Sequence, residues 1–411
     1  MKVKRENLLA YCLSSIFFLL MLVFYYNYGE WTLGALPQIC YQDYCVSDWL
    51  INYEGGFVRR GLLGQLLFWS YSVWPFNVRE FVLLLPFFLS PLLLFLMLRL
   101  FYRQQWPPTV IFCVCCMGGT AFLSPLIRRD YLVLILIYAL FYLVSQWLRT
   151  NRKSYFLAYF LVSSVLILSY EPSVFVVFPI VFLVAGKRLL TWTVLPVILV
   201  TFLSKGTADI GQSIWQSWTP LFETYPGCDE SGIIGFGEDA LGWDIWPTFI
   251  FHLHSAYIGP EPSWTSGPLI IYMLAGTYYL VTFLDVAKVP FWPNARTASF
   301  DTHAMSNAFL LQFLAMLPMF TVLSCDWGRT IPLCTISVLF VVYFFPEAAS
   351  RVSFIDKASG LFLSALGRCP ILRSPLFYYF VAVTIPMPLV LAPKIKDSII
   401  GLVFQALNNH M

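Results

Sequence analysis

Charge is what this chain has least of. Lys, Arg, Asp and Glu make up 11% of its 411 residues, where a soluble domain carries roughly 25%. So thin a polar surface excludes an ordinary soluble domain. Histidine is scarcer still, at four residues, and no Cys/His spacing matches a zinc site. His252 and His254 stand two apart, which suits neither one face of a helix nor a metal motif. No P-loop, dinucleotide-binding fingerprint, Ser-His-Asp pattern, haem motif or zincin motif occurs, which argues against a nucleotide-driven reaction on the cytoplasmic face. Solenoid-type repeats and low-complexity linkers are also missing, so one membrane domain over residues 1–411 is the simplest organisation. A net charge of +3 gives no reason to expect nucleic acid as a partner.

What fills the chain instead is apolar sequence: 59% hydrophobic, 18% aromatic, mean hydropathy +0.73. Its runs approach the ~20 residues needed to cross a bilayer. The expected fold is all-α, a polytopic membrane bundle of about eleven transmembrane helices. The spans fall at 8–27, 79–101, 108–126, 131–149, 155–170, 173–186, 188–204, 264–284, 305–323, 331–346 and 375–393. The start, Met1 to Glu6, resembles the n-region of a signal peptide. Its apolar stretch is too long and lacks a small-residue cleavage pattern, so a retained anchor fits better.

Lys and Arg bias sets the orientation. With the N-terminus cytoplasmic, 16 of the 25 basic residues lie inside and 17 of the 22 acids lie outside. Residues 28–78 and 205–263 then form the two large extracytoplasmic loops. Of ten cysteines, Cys12, Cys113, Cys115, Cys116 and Cys334 sit in apolar runs as small hydrophobes. Cys40 and Cys45 in the first loop suit a disulfide in an oxidising compartment.

Within that loop, residues 61–75 are apolar but short. They read as a helix lying in the membrane interface, with Trp69, Tyr71 and Trp74 at headgroup level; a buried re-entrant helix is the alternative. The second loop gathers Trp215, Trp218, Trp243, Trp246 and Trp264 with Asp229, Glu230, Glu238, Asp239 and Asp244. Aromatic faces and carboxylates suit carbohydrate; an interfacial aromatic belt with solvated acids is the plainer reading.

Charges beside hydrocarbon are costly, and the outer ones form four clusters. Asp48 and Glu54 precede Gly55-Gly56 and the pair Arg59-Arg60, whose planar guanidinium groups match phosphate; lipid headgroups, or pairing with Asp48 and Glu54, are the structural alternative. Arg128-Arg129-Asp130 opposes the orientation bias, and an internal pair with Asp130 is its structural alternative. Glu171 sits at a Pro172 break between two apolar segments, as a substrate contact, a second acid, a metal ligand or a helix cap. Asp326-Trp327-Gly328-Arg329 closes the set, with a stacking face between an acid and a base.

This layout resembles the GT-C class of integral-membrane glycosyltransferases, on Asp48 to Arg60, Arg128 to Asp130, Glu171 and Asp326 to Arg329. It is also similar to bacterial O-antigen and capsule polymerases. In several GT-C families an adjacent pair of acids follows the first span; here Asp43 and Asp48 are five apart. The resemblance implies an active site on the periplasmic face of a bacterial inner membrane. There a sugar passes from a polyprenyl-phosphate or -diphosphate donor to a glycan or lipid acceptor. Asp48 is then the expected general base, with Glu54 or Glu171 assisting. Arg59, Arg60, Arg128, Arg129 and Arg329 would hold the donor phosphate, and Asp130, Asp326 and Trp327 would position substrate. A divalent metal is compatible with such chemistry, although no compact carboxylate set is visible to hold one. The alternative is a transporter or lipid-linked oligosaccharide flippase. That function favours ionisable groups near the bilayer midplane, whereas the charges here sit at the ends of spans.

Overall fold

The computed structural model describes residues 46–104, 106, 129–186, 194–204, 206–224, 266–284, 286, 301–321 and 327–385. Among them the chain is all-α, without a strand. Among the described residues, only Asp130–Thr150 is both long and apolar enough to cross a bilayer unaided; Lys153–Ser169, Ser173–Ala185 and Thr330–Phe344 are apolar but shorter. The expected spans 8–27 and 108–126 lie outside the described residues. Helix length therefore does not by itself reproduce the count of eleven.

Where the sequence suggests one domain, internal packing falls into two compact units. The first to matter here comprises residues 24–92 and 125–251. It holds a helical segment at 46–50, α1 (Gly61–Val73), the first part of α2 (Val78–Gln104), α3 (Asp130–Thr150), α4 (Lys153–Ser169), α5 (Ser173–Ala185), α6 (Leu195–Leu203), α7 (Ala208–Ser217) and α8 (Thr219–Thr224). α3 and α4 form its most extensive helix pair, and α4 also meets α1, α5 and α6.

The boundaries of these helices have local causes. α1 runs through Leu-rich sequence with no β-branched residue before Val73, and it stops where Trp74 must precede Pro75 and turns extended (φ −140°, ψ 99°). α3 begins on Asp130, an anion in the first turn, and ends at Asn151 in the left-handed conformation (φ 51°) that commonly closes a helix. Pro172 cannot donate a backbone hydrogen bond, so α4 ends at Ser169 and α5 restarts at Ser173.

One apolar core clamps the first loop. Trp49, Leu50 and Ile51 pack with Leu67 and Tyr71 of α1 and with Trp218 and Leu221. Two expectations are corrected by this core. Tyr71 is buried and contacts Trp218 and Phe76, so it does not mark the headgroup boundary. Trp218 is fully buried and donates Nε1–H to the Leu50 carbonyl at 2.8 Å, which removes it from any carbohydrate-stacking surface. An indole needs both an apolar body and a polar partner, and the core supplies both. Trp243, Trp246, Trp264 and the acids 229–244 lie outside the described residues.

The second unit comprises residues 1–23, 93–124 and 252–411. It contains the rest of α2 with α9 (Ser266–Thr282), α10 (Thr302–Ala315), α11 (Leu317–Thr321), α12 (Trp327–Phe344), α13 (Ser353–Gly367) and α14 (Pro375–Thr384). α10 packs against α9, α12 and α13. Cys334 is buried and free among its apolar neighbours, the role expected for it.

Candidate functional site

Gly64 and Gly61 explain how α1 reaches the loop. A Cβ at Gly64 would collide with the Ile51 carbonyl, and one at Gly61 with the Tyr53 ring. The helix can therefore lie directly on loop backbone. Gln65, a lone amide in this apolar helix, secures the contact. Its Oε1 accepts from the Tyr53 amide at 2.6 Å, and its Nε2 donates to Glu54 Oε1 at 2.9 Å. Asn52 ties the loop to the end of α7, donating from Nδ2 to Ser217 Oγ at 2.8 Å.

The same loop delivers Arg60 into a charged cluster. Arg60 caps α1 in the left-handed region (φ 63°, ψ 11°), unusual for a residue with a Cβ. Its side chain meets Glu171 in a two-pronged pair, Nε to Oε2 at 2.8 Å and Nη2 to Oε1 at 2.9 Å. Nη1 lies 4.0 Å from Asp48 Oδ1, and the guanidinium stands 5.6 Å from the Tyr170 ring centroid. Arg60 keeps 23% of its side chain exposed, against 7% for Asp48 and 6% for Glu171. The cluster is therefore open mainly on the arginine side.

Arg129 completes the cluster from the start of α3. It is fully buried, and Nη2 lies 3.2 Å from Asp48 Oδ1. Nη1 donates to the carbonyls of Arg60 at 3.0 Å and Ser169 at 2.9 Å. The Ser169 carbonyl ends α4 and has no further helical turn to accept from, so a cation there answers both the hydrogen-bonding deficit and the helix dipole. Arg129 also lies 6.0 Å from the Trp49 ring centroid. These contacts make it the frame that joins α1, α4 and Asp48, with none of its side chain exposed.

Burial alone would raise the Glu171 carboxyl. The charge and hydrogen bonds of Arg60, with a contribution from the Arg59 charge, outweigh it and hold the group below its ordinary value. Arg60 in turn is raised: burial opposes its charge, but Glu171 and Asp48 prevail. Burial pushes the Tyr53 phenol up to about 12, against the pull of Arg129, so it stays protonated at neutral pH. Its hydroxyl is buried and has no hydrogen-bond partner among the described residues.

Of the expected site residues, Asp48, Arg60, Arg129 and Glu171 converge, and Arg59 acts on Glu171 through its charge. Asp130 is buried at the start of α3. Glu54 is exposed beside the cluster, and its Oε1 accepts from Gln65 Nε2. Arg128 and Asp326 lie outside the described residues. Trp327 and Arg329 begin α12 in the other unit. Sequence reading missed Tyr53, Gln65, Asn52 and Tyr170; the polar Gln65 between Gly64 and two leucines was the available signal. Among the described residues no group of three or more His, Cys, Asp or Glu is placed to hold a metal ion. No family model, curated protein or solved structure matches this chain.

Proposed function

We propose that the protein is a membrane glycosyltransferase of about eleven spans, acting on the periplasmic face of a bacterial inner membrane. It moves a sugar from a polyprenyl-phosphate or -diphosphate donor to a glycan or lipid acceptor. The observation that carries this reading is the meeting of Asp48, Arg60 and Glu171 at the head of α1, with Arg129 fixing the frame. From that head α1 runs on with Leu66, Trp69 and Val73 exposed at helical spacing, and Trp74 beyond them. An anion-binding guanidinium at one end of an exposed apolar strip suits a lipid with a phosphate head.

In the reaction, Asp48 takes the proton of the acceptor hydroxyl as its oxygen bonds to the anomeric carbon. The bond from that carbon to the lipid phosphate breaks, and Arg60 with Arg59 stabilises the departing phosphate. Such charge stabilisation is worth most where donors are already in place before the charge develops. Arg129 contributes by holding Asp48 and the Arg60 backbone, without touching substrate.

Reconstituting the full-length protein with radiolabelled polyprenyl-phosphate-linked sugar and acceptor tests the assignment. Formation of a new glycosidic bond supports it. Movement of intact donor across the bilayer without bond formation would establish a flippase instead. Arg60→Ala is expected to raise the KM for donor while leaving that for acceptor near wild type; an equal rise in both would contradict the phosphate role.

A further inference from the structure

We infer that Glu171 is a built-in stand-in for the ligand's phosphate: in the resting protein its carboxylate occupies the Arg60 fork, and ligand binding exchanges it out. This rests on Arg60 as the phosphate-binding residue proposed above. The fork that grips Glu171 through Nε and Nη2 presents the same parallel N–H donors to two oxygens of a phosphate. The pair is reachable from outside, since Arg60 is the most exposed of the four clustered side chains.

Glu171 is also placed to leave. It sits in the three-residue connection between Ser169 and Ser173, where Pro172 interrupts the backbone ladder. Residue 171 belongs to neither helix, so release of its side chain breaks no hydrogen bond inside α4 or α5. The Arg129 hydrogen bond to the Ser169 carbonyl anchors the connection at its other end. The exchange keeps the fork paired with an anion in both states. Free phosphate and lipid-borne phosphate share this chemistry.

Two probes separate those sources: a polyprenyl monophosphate in nanodiscs and inorganic pyrophosphate in solution. Glu171→Gln keeps the shape but loses the charge, and its NH2 group faces donors with donors. The lost competition should tighten probe binding by about 10-fold or more, the scale of a hydrogen bond to a charged group. Glu171→Asp, too short to reach both nitrogens, should give a smaller gain. A gain for both probes assigns the exchange to phosphate alone; a gain for the lipid only assigns it to the headgroup with its chain.

Unchanged or weaker binding by Glu171→Gln, with binding lost in Arg60→Ala, overturns the stand-in and leaves the phosphate role intact. Wild-type binding by Arg60→Ala overturns both. A wild-type measurement avoids any folding defect in the variants: carbodiimide labelling of Glu171, read by mass spectrometry, should rise when the polyprenyl phosphate is bound. Labelling that stays level or falls at saturation contradicts the exchange.

Discussion

Replacing Arg129 by methionine should be the most damaging single change in the charged cluster. Methionine preserves length and apolar volume but removes every donor. Asp48 loses its 3.2 Å partner, and the carbonyls of Arg60 and Ser169 lose theirs. Breaking a buried ion pair from one side costs about 3–5 kcal/mol, and each dry carbonyl about 1–3 kcal/mol. These losses share one site and do not add fully, so about 4–6 kcal/mol is expected. Native proteins hold only about 5–15 kcal/mol in all, so the variant should stand near its unfolding threshold. SDS titration of the purified protein in mixed micelles, followed by tryptophan fluorescence, reads the change. Adding Asp48→Asn removes the carboxylate that most needs Arg129, and the double variant should recover about 1–3 kcal/mol. Arg129→Lys should fall between, because one ammonium cannot reach acceptors spread over two guanidinium nitrogens. A cost below about 1 kcal/mol for Arg129→Met, or no coupling to Asp48→Asn, would refute the keystone role.

Four further outcomes are expected. Glu171 is held below its ordinary value of 4.5, so its pairing with Arg60 stabilises the protein above that pH. The contribution is lost as pH falls through the depressed folded value; acid unfolding curves should show this, and Glu171→Gln should flatten them. Gly64→Ala drives a methyl into the Ile51 carbonyl and should cost about 2–3 kcal/mol. Gly360→Ala in α13 meets only His303 Nε2 at 4.0 Å and should gain up to about 1 kcal/mol of helix propensity. Arg60→Gly and Arg60→Ala both lose the Glu171 pair, but glycine suits φ 63° and should be the more stable by about 1 kcal/mol in the same titration.

The charged cluster was legible because charge is so costly in this setting. Asp48, Arg60, Arg129 and Glu171 stand out in any apolar chain. Their partners were not legible: Arg60 and Glu171 are 111 residues apart, and only the α4–α5 break brings them together. The clustered acids and bases look alike in sequence, and only the fold shows the two carbonyl contacts that set Arg129 in the frame. Trp218 and Tyr71 were misassigned because amphipathic rings serve interfaces and cores equally well. Here a single acceptor, the Leu50 carbonyl, settles the matter for Trp218. Glu54 looked equivalent to Asp48, yet the Gln65 amide holds it at an exposed edge. α1 was foreseen from its apolar run, and its seat on Ile51 through Gly64 required the loop to be folded first.

The most direct measurement of the central claim is single-turnover sugar transfer from a polyprenyl-phosphate donor by protein reconstituted in liposomes. Wild type, Asp48→Asn and Glu54→Gln would be compared at equal folded fraction. The account predicts a loss on the order of 10²-fold or more for Asp48→Asn, the scale of general-base help, and near-normal transfer for Glu54→Gln. Full transfer by Asp48→Asn would contradict it.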